Sequence, residues 1–378
     1  MTDLSLPPPP LITQPARLPE LTTALRQAGR FALDTESNSL YAYHYQVCLI
    51  QISTAQQDYL IDTLALPDQS WLAALVADAG IEVTIHAAEN DILLLHRDFG
   101  FTFGRVFDTL WAARILGWER PGLAAILQEQ FGIGLDKGMQ RTDWGRRPLS
   151  ARQCQYARLD THFLLALRDH QEQELRARGR WQEAQETFAE LLHIRWEEKE
   201  APTFWRLPGV NDLAPREQGV LAALFAWREQ AAAQRDLPPF KVLQNETLLE
   251  LARTQPETER ALRAVRGVST RLPRRTAQDL LAAIEQGRRA EPPAPPSRNH
   301  FAPRPDEQVL ARFDRLRAWR TRTAQSRGVE PDVVLTNQVL MAIARENPAH
   351  LSSLAALNLF GPWKLQTYGA ALLEVVRG

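Results

Sequence analysis

Apolar positions in the first 170 residues come mostly in short runs between polar turns, and their spacing changes repeatedly from strand-like to helical. Phe31–Asp34, Val47–Ser53 and Asp58–Ile61 have strand length and composition, with the turn-like STAQQ between the second and third. Trp71–Ala79 follows a helical period and Glu82–His86 returns to strand. ENDILLLHR, from Glu89 to Arg97, is helical again. Val106–Leu116 opens as a strand or capping stretch and turns helical, with Asp108–Thr109 suited to the helix N-terminus. Ser150 and Gln153 have capping-box spacing and predict a further helix start. This alternation predicts an α/β domain over 18–170, preceded by an extended lead-in over 1–17 that contains the proline run Pro7–Pro10.

Residues 171–205 are rich in Glu, Arg, Gln and Trp and predict a long solvent-facing helix, within a helical connector over 171–214. Beyond WRLPGVNDLAP the pattern is helical almost throughout, broken by the proline-dense GRRAEPPAPPSRNHFAPRP at Gly287–Pro305, which predicts a linker over 289–306. The segments flanking that linker repeat each other. AWREQAAAQRDLPPFKVLQNETLLELAR from Ala226 aligns without a gap with AWRTRTAQSRGVEPDVVLTNQVLMAIAR from Ala318, a constant offset of 92. Trp227 falls on Trp319, Arg235 on Arg327, Pro239 on Pro331, Asn245 on Asn337 and Arg253 on Arg345. Two copies of a small all-α domain, 215–288 and 307–378, are therefore expected.

Composition narrows the class. Of 378 residues, 44% are hydrophobic and 24% charged, which is the balance of a soluble globular protein too long for one domain. Nothing near the N-terminus resembles a signal peptide, and no apolar run is long enough to span a bilayer. Cys48 and Cys154 fall at core positions without zinc-site spacing and suit a reducing compartment, so a cytoplasmic location without membrane association is expected. The net charge of -1 conceals an asymmetry: residues 1–170 hold 14 Lys and Arg against 19 Asp and Glu, and the remainder 30 against 26. That division can separate metal chemistry from polyanion binding.

The acidic residues at Asp34 and Glu36 supply candidate chemistry. Strand alternation turns positions two apart to one face, where two carboxylates need cations or strong donors to offset their repulsion. Asp91 opens the helix after Glu82–His86. Asp160 follows Tyr156 by one helical turn, so phenol and carboxylate lie side by side. An all-oxygen cluster of this kind suits magnesium or manganese. Two such ions, about 3.5–4 Å apart, can stabilise the attacking and leaving oxygens of a phosphodiester. Tyr156 can orient the attacking water, since a phenol of ordinary pKa is a poor base at neutral pH. Each residue also has a plain structural reading: Asp34 and Glu36 as solvated groups, Asp91 and Asp160 as first-turn residues, Tyr156 as a core aromatic.

LDTESNSLYAYHYQVCLIQIS resembles the first exonuclease motif of the ribonuclease D family, within the DEDD superfamily of 3′–5′ exonucleases. TIHAAENDILLL resembles the second motif, and DWGRRPLSARQCQYARLD the third in its tyrosine-containing form. The resemblance implies that Asp34, Glu36, Asp91 and Asp160 bind two divalent metal ions, Mg2+ or Mn2+, and that Tyr156 is catalytic. It also implies a ribonuclease H-like α/β domain with a mixed sheet. The repeats resemble the HRDC domain of ribonuclease D and RecQ-type helicases, the second copy more weakly, which implies auxiliary nucleic-acid binding. One departure is Ser37, where many bacterial members carry an aromatic residue directly after D-x-E.

Further candidates for substrate contact are His86, Lys137, Trp144, Arg146 and Arg147, the last three as a stacking and backbone-contact group. Their alternatives are a satisfied strand-end histidine, a surface lysine, and a loop anchored by Trp144 with solvated arginines. Asp108 reads as a cap. In the first repeat, RGVSTRLPRR gathers Arg266, Arg271, Arg274 and Arg275 around a turn that can meet successive phosphates. The corresponding NLFGPWKLQTYG of the second copy has only Lys364 but carries Trp363 and Tyr368.

The expected function is a 3′–5′ exoribonuclease that trims single-stranded 3′ ends of structured RNA, with tRNA precursors a prominent example in the family, and releases nucleoside 5′-monophosphates. The alternatives are a DNA 3′–5′ exonuclease and a non-catalytic nucleic-acid-binding protein; the full carboxylate set weighs against the last. No obligatory protein partner is expected.

Overall fold

Val47–Ser53 (β3) is buried at every position, as a strand must be when both faces of its sheet are covered. Its neighbours are Arg30–Ser37 (β2) and Asp58–Asp62 (β4), both antiparallel to it. Leu11–Ile12 (β1) adds to the far side of β4 in parallel, and Glu82–Ile85 (β5) and Val106–Asp108 (β6) extend the β2 side in parallel. The sheet order β1-β4-β3-β2-β5-β6 is therefore mixed, and the fold is α/β. The structure is a computed structural model and describes residues 7–134, 137–198, 202–294 and 306–378, with the Lys137 side chain outside the description. Leu11–Ile12 of the lead-in thus joins the sheet, through the pairing of Leu11 with Leu60 and Ile12 with Ile61.

Helices cover the sheet: Leu18–Ala28 (α1), Ser70–Val76 (α2), Glu89–Phe99 (α3), Thr109–Leu116 (α4), Leu123–Phe131 (α5), Ala151–His162 (α6) and Leu164–Ala177 (α7). Asp108 caps α4 through the amides of Leu110 at 2.7 Å and Trp111 at 3.1 Å. Its other oxygen accepts from Ala88 at 2.8 Å, so one buried carboxylate fixes both the α4 start and the turn after β5. Ser150 and Gln153 form the expected capping box on α6.

The connector differs from expectation. α7 stops at Ala177, Gly179 takes a left-handed φ of 66°, and a separate helix, Trp181–Leu191 (α8), follows. Ala184 and Phe188 on α8 pack with Phe107, Leu116 and Leu175 of the α/β domain. A charged composition concealed an apolar stripe, Trp181, Ala184, Phe188 and Leu191, that has helical spacing and seeks a core. Farther on, Leu207, Val210 and Leu213 join the core of the first repeat.

The repeats have the same element order. The first contains Pro215–Arg235 (α9), Pro239–Val242 (α10), Asn245–Thr254 (α11), Glu259–Ala264 (α12) and Arg274–Arg289 (α13). The second contains Glu307–Arg327 (α14), Pro331–Val334 (α15), Asn337–Glu346 (α16), Leu351–Ala356 (α17) and Pro362–Arg377 (α18). Four helix pairs keep the offset of 92. The last pair is offset by 88, because the turn before α13 is four residues longer and carries Arg266 and Arg271. Trp227 and Trp319 pack, half-buried, against their own cores. Buried Arg228 and Arg320 donate to the carbonyls of Leu243 at 3.3 Å and Leu335 at 2.9 Å, another matched pair.

Over the described residues the chain divides into two compact units. One lies within Met1–Ser37, Val47–Trp196 and Arg304–Gly378; the other within Asn38–Gln46 and Glu197–Pro303. The second repeat thus belongs with the α/β domain, and the first repeat with the short β2–β3 connection. Among the described residues no helix is long and apolar enough to cross a membrane.

Candidate active site

Strand alternation on β2 turns Asp34 and Glu36 the same way, and α6, packed across β2, β3 and β4, brings in Tyr156 and Asp160 one turn apart. Asp34, Glu36 and Asp160 each offer an oxygen within 4.8 Å of the others. Asp91, in the first turn of α3, lies outside that tightest group. Its Oδ1 accepts from the Thr35 hydroxyl at 2.5 Å. Its field nevertheless reaches Asp34, Glu36 and Asp160 and raises the pKa of each.

Burial is the largest cause of these shifts, with carboxylate repulsion added. Asp34 is held well above the usual carboxylate range by burial and by Asp91, Asp160 and Glu36. Glu36 is pushed up to about 9 by burial, Asp160 and Asp91. Asp91 rises to about 7 through burial despite the Thr35 hydrogen bond, and Asp160 to about 7 despite one from Tyr156. The Tyr156 phenol is driven far above its ordinary value by burial and the surrounding carboxylates, so it stays protonated.

The site opens into a cavity of about 540 Å³ lined by Asp34, Glu36, His86, Gln140, Tyr156, Asp160 and the Gly122–Ala125 stretch. No Lys or Arg is among those lining residues. His86 is kept neutral, its pKa lowered to about 4 by burial, and its Nδ1 lies 2.9 Å from the Thr109 hydroxyl. Among the described residues, therefore, no side-chain cation compensates the carboxylates at the cavity. Hard oxygen donors, crowded and uncompensated, fit a divalent cation.

The other expected substrate contacts divide. His86 lines the cavity. The Lys137 side chain lies outside the described residues. Trp144 is a correction: at 1% exposure it packs with Cys48, Leu49, Leu60 and Tyr156, its ring 6.1 Å from that of Tyr156, and is closed to a base. Arg147 is also structural. Its Nε and Nη2 grip Asp62 at 2.6 and 2.7 Å, Nη2 reaches the Cys48 carbonyl at 2.8 Å, and Nη1 reaches that of Trp144 at 2.7 Å. Arg146 remains exposed. Arg271, Arg274 and Arg275 are exposed on the first repeat, with Arg274 Nε 3.6 Å from Glu259. They belong to the other compact unit. On the second repeat, Trp363 and Lys364 donate backbone N–H groups to Glu186 at 2.6 and 3.2 Å, so that aromatic turn is engaged by α8.

Sequence reasoning passed over Thr35 and Gln140, which hydrogen-bonds Tyr156. Thr35 reads as an ordinary β-branched strand residue. Its place between two site carboxylates was the available signal.

Residues 9–176 match the family model described as 3′-5′ exonuclease, and residues 217–284 and 309–376 match that of the HRDC domain. The chain is 31% identical over 284 residues to ribonuclease D of Haemophilus influenzae, covering 74% of this chain and 71% of that one. It is 29% identical over 378 residues to ribonuclease D of Granulibacter bethesdensis, covering 98% and 93%. The solved structure of Escherichia coli RNase D, described as an exoribonuclease involved in structured RNA processing, is similar with TM-score 0.65 and 26% identity over 97% of this chain and 98% of that one. The catalytic core of RRP6 from Trypanosoma brucei gives TM-score 0.67 and 26% identity over 76% and 81%.

Proposed function

The chain belongs to the ribonuclease D family of 3′–5′ exonucleases, and from that premise we propose that it is a divalent-cation-dependent exoribonuclease. Its substrates are single-stranded 3′ ends of structured RNA, tRNA precursors among them, and its products nucleoside 5′-monophosphates. The observation that carries the reading is the convergence of Asp34, Glu36 and Asp160 oxygens within 4.8 Å at a cavity, with Tyr156 hydrogen-bonded to Asp160. RNA is favoured over DNA by the ribonuclease D relatives and the structured-RNA role of the Escherichia coli protein.

Asp34, Glu36 and Asp160, with Asp91 beside them, would hold two Mg2+ or Mn2+ ions, which supply charge neutralisation for the attacking and leaving oxygens. The protein's own groups do the rest. Tyr156 stays protonated, donates to Asp160 and presents its phenolic oxygen to the attacking water. The water oxygen gives up a proton to solvent and bonds to the terminal phosphorus, the bond from phosphorus to the preceding 3′-oxygen breaks, and that oxygen takes a proton from solvent, so none is gained or lost overall. Neutral His86 can hydrogen-bond the terminal nucleotide without adding charge. Cys48 and Cys154 are thiols in this fold, in keeping with a cytoplasmic enzyme.

The test uses RNA and DNA of matched sequence, labelled at either end, with Mg2+, Mn2+ or chelator. Early release of the 3′ label and stepwise shortening of 5′-labelled RNA, abolished by chelator, is the expected result. Preferential DNA cleavage would redirect the substrate assignment, and two uncut polymers would leave only a binding protein.

A further inference from the structure

In the first repeat, α9 ends at Arg235, Asp236 turns left-handed at φ 47° and ψ 47°, and α10 follows. The Asp236 carboxylate oxygen Oδ1 accepts from the backbone N–H of Tyr43 at 3.0 Å and of His44 at 2.9 Å. The Lys241 ammonium on α10 lies 3.8 Å from the centre of the Tyr41 ring, a close cation–π contact. The Tyr43 hydroxyl is 3.5 Å from the Glu229 carboxylate on α9. All three contacts seize Asn38–Gln46. That loop also closes on itself, with the Gln46 N–H donating to Asn38 Oδ1 at 2.8 Å.

The second repeat presents the same stretch, 92 residues on, to other exonuclease segments. α14 ends at Arg327, Gly328 takes the left-handed turn at φ 64°, and α15 follows. Arg327 binds Glu183 of α8 at 2.5 Å, and its carbonyl accepts from Arg180 at 2.7 Å. On α15, Asp332 meets Arg114 of α4 at 2.5 Å, and Val333 is buried with Phe107, Ile115 and Leu116. A Cβ at Gly117 would collide with the Gly328 carbonyl, so backbone meets backbone at this turn. Asp332 and Val333 stand where the first copy has Phe240 and Lys241.

From this coincidence we infer that the left-handed turn and short helix form the docking face of the repeat, used twice on exonuclease segments with different side chains. In the first copy the face has a catalytic consequence. The loop it holds leaves β2 directly after Glu36 and Ser37, where the β2–β3 register already shifts. Asp236, Lys241 and Glu229 are positioning residues: by fixing Asn38–Gln46 they fix the direction in which the strand end presents Glu36. Small displacements of a reacting group cost large factors in rate. The catalytic part of this inference rests on the exonuclease reading above.

Asp236→Gly and Asp236→Asn separate the anchor from the turn. Glycine tolerates the left-handed backbone but removes the acceptor, whereas asparagine keeps both. In the full-length chain, Asp236→Gly should speed hydrogen exchange at the Tyr43 and His44 amides. It should also lower kcat on a short RNA oligonucleotide roughly tenfold with KM nearly unchanged. Asp236→Asn should restore both readouts to near wild type. Unchanged exchange at the two amides in Asp236→Gly overturns the docking claim, and faster exchange with unchanged kcat overturns the positioning role. A wild-type chain that cleaves no RNA would refute the exonuclease reading instead, and the exchange measurement would still decide the docking face.

Discussion

The Thr35 hydroxyl donates to Asp91 Oδ1 at 2.5 Å, tying the first turn of α3 to the strand that carries Asp34 and Glu36. Asp91 is buried, and its pKa is raised mainly by that burial, so this donor is part of what keeps it usable as an anion. Thr35→Val preserves shape and strand preference but deletes the donor. Activity should fall about 10–100-fold, as for the loss of a group that orients a metal ligand. Raising Mg2+ should recover part of it. Unaltered activity at limiting Mg2+ would show that Asp91 needs no such support.

Asp34→Asn removes one charge from a crowded, buried set with little change in volume. Hydrolysis should be nearly abolished while RNA binding and the circular dichroism spectrum persist. Without metal the variant should melt higher than wild type, because burial and the fields of Asp91, Asp160 and Glu36 all disfavour the Asp34 anion. A lower melting temperature in chelator would contradict that account of the site.

Metal-free protein should lose stability as pH rises. Glu36 is raised from 4.5 to about 9, and Asp91 and Asp160 from 3.8 to about 7. Between those limits the folded chain binds more protons than the unfolded chain, so unfolding free energy falls with pH. The contribution is complete below the unfolded-state values and disappears as pH passes through about 7 and then 9. Melts in chelator should show this decline, and added Mg2+ should flatten it by supplying the missing positive charge. A chelated protein whose melting temperature climbs over the same range would refute it.

Arg147→Met should destabilise the fold by roughly 2–3 kcal/mol, because it strands the carboxylate of Asp62, which is 3% exposed, without its guanidinium. Denaturant titration measures this. Arg146→Ala, at an exposed neighbour, should leave stability within about 0.5 kcal/mol. Equal stability losses at the two positions would remove the distinction drawn between them.

These two arginines show where local pattern stops informing. Asp34 with Glu36, and Tyr156 with Asp160, were legible because strand and helix periods are local rules that fix which side chains share a face. The repeats were legible because an unbroken offset survives in the residues themselves. Trp144, Arg146 and Arg147 form a segment that locally suits nucleic-acid contact. Its actual role is set by Asp62, 85 residues earlier, and by Cys48, Leu49 and Leu60 around the Trp144 ring. The α8 stripe was hidden in the same way, since its partners Phe107, Leu116 and Leu175 come from elsewhere in the fold. Asn38–Gln46 gave no sign that a distant carboxylate, Asp236, would hold its backbone.

Tyr156→Phe tests how the phenol works. The ring packs beside Trp144 within a core that includes Cys48, Leu49 and Leu60, so phenylalanine should keep the packing and the position of α6. It removes the hydroxyl that hydrogen-bonds Asp160. Burial and the fields of Asp160, Glu36 and Asp34 push that hydroxyl's pKa up, which favours orienting the water over taking up its proton near pH 7. If its work is to orient water, the loss should be about 10²-fold or more, yet smaller than for Asp34→Asn. The pH–rate profile should keep its shape at a lower height, because no titrating base has been removed. An alkaline limb that disappears in Tyr156→Phe would identify the phenol as the base and overturn the positioning role.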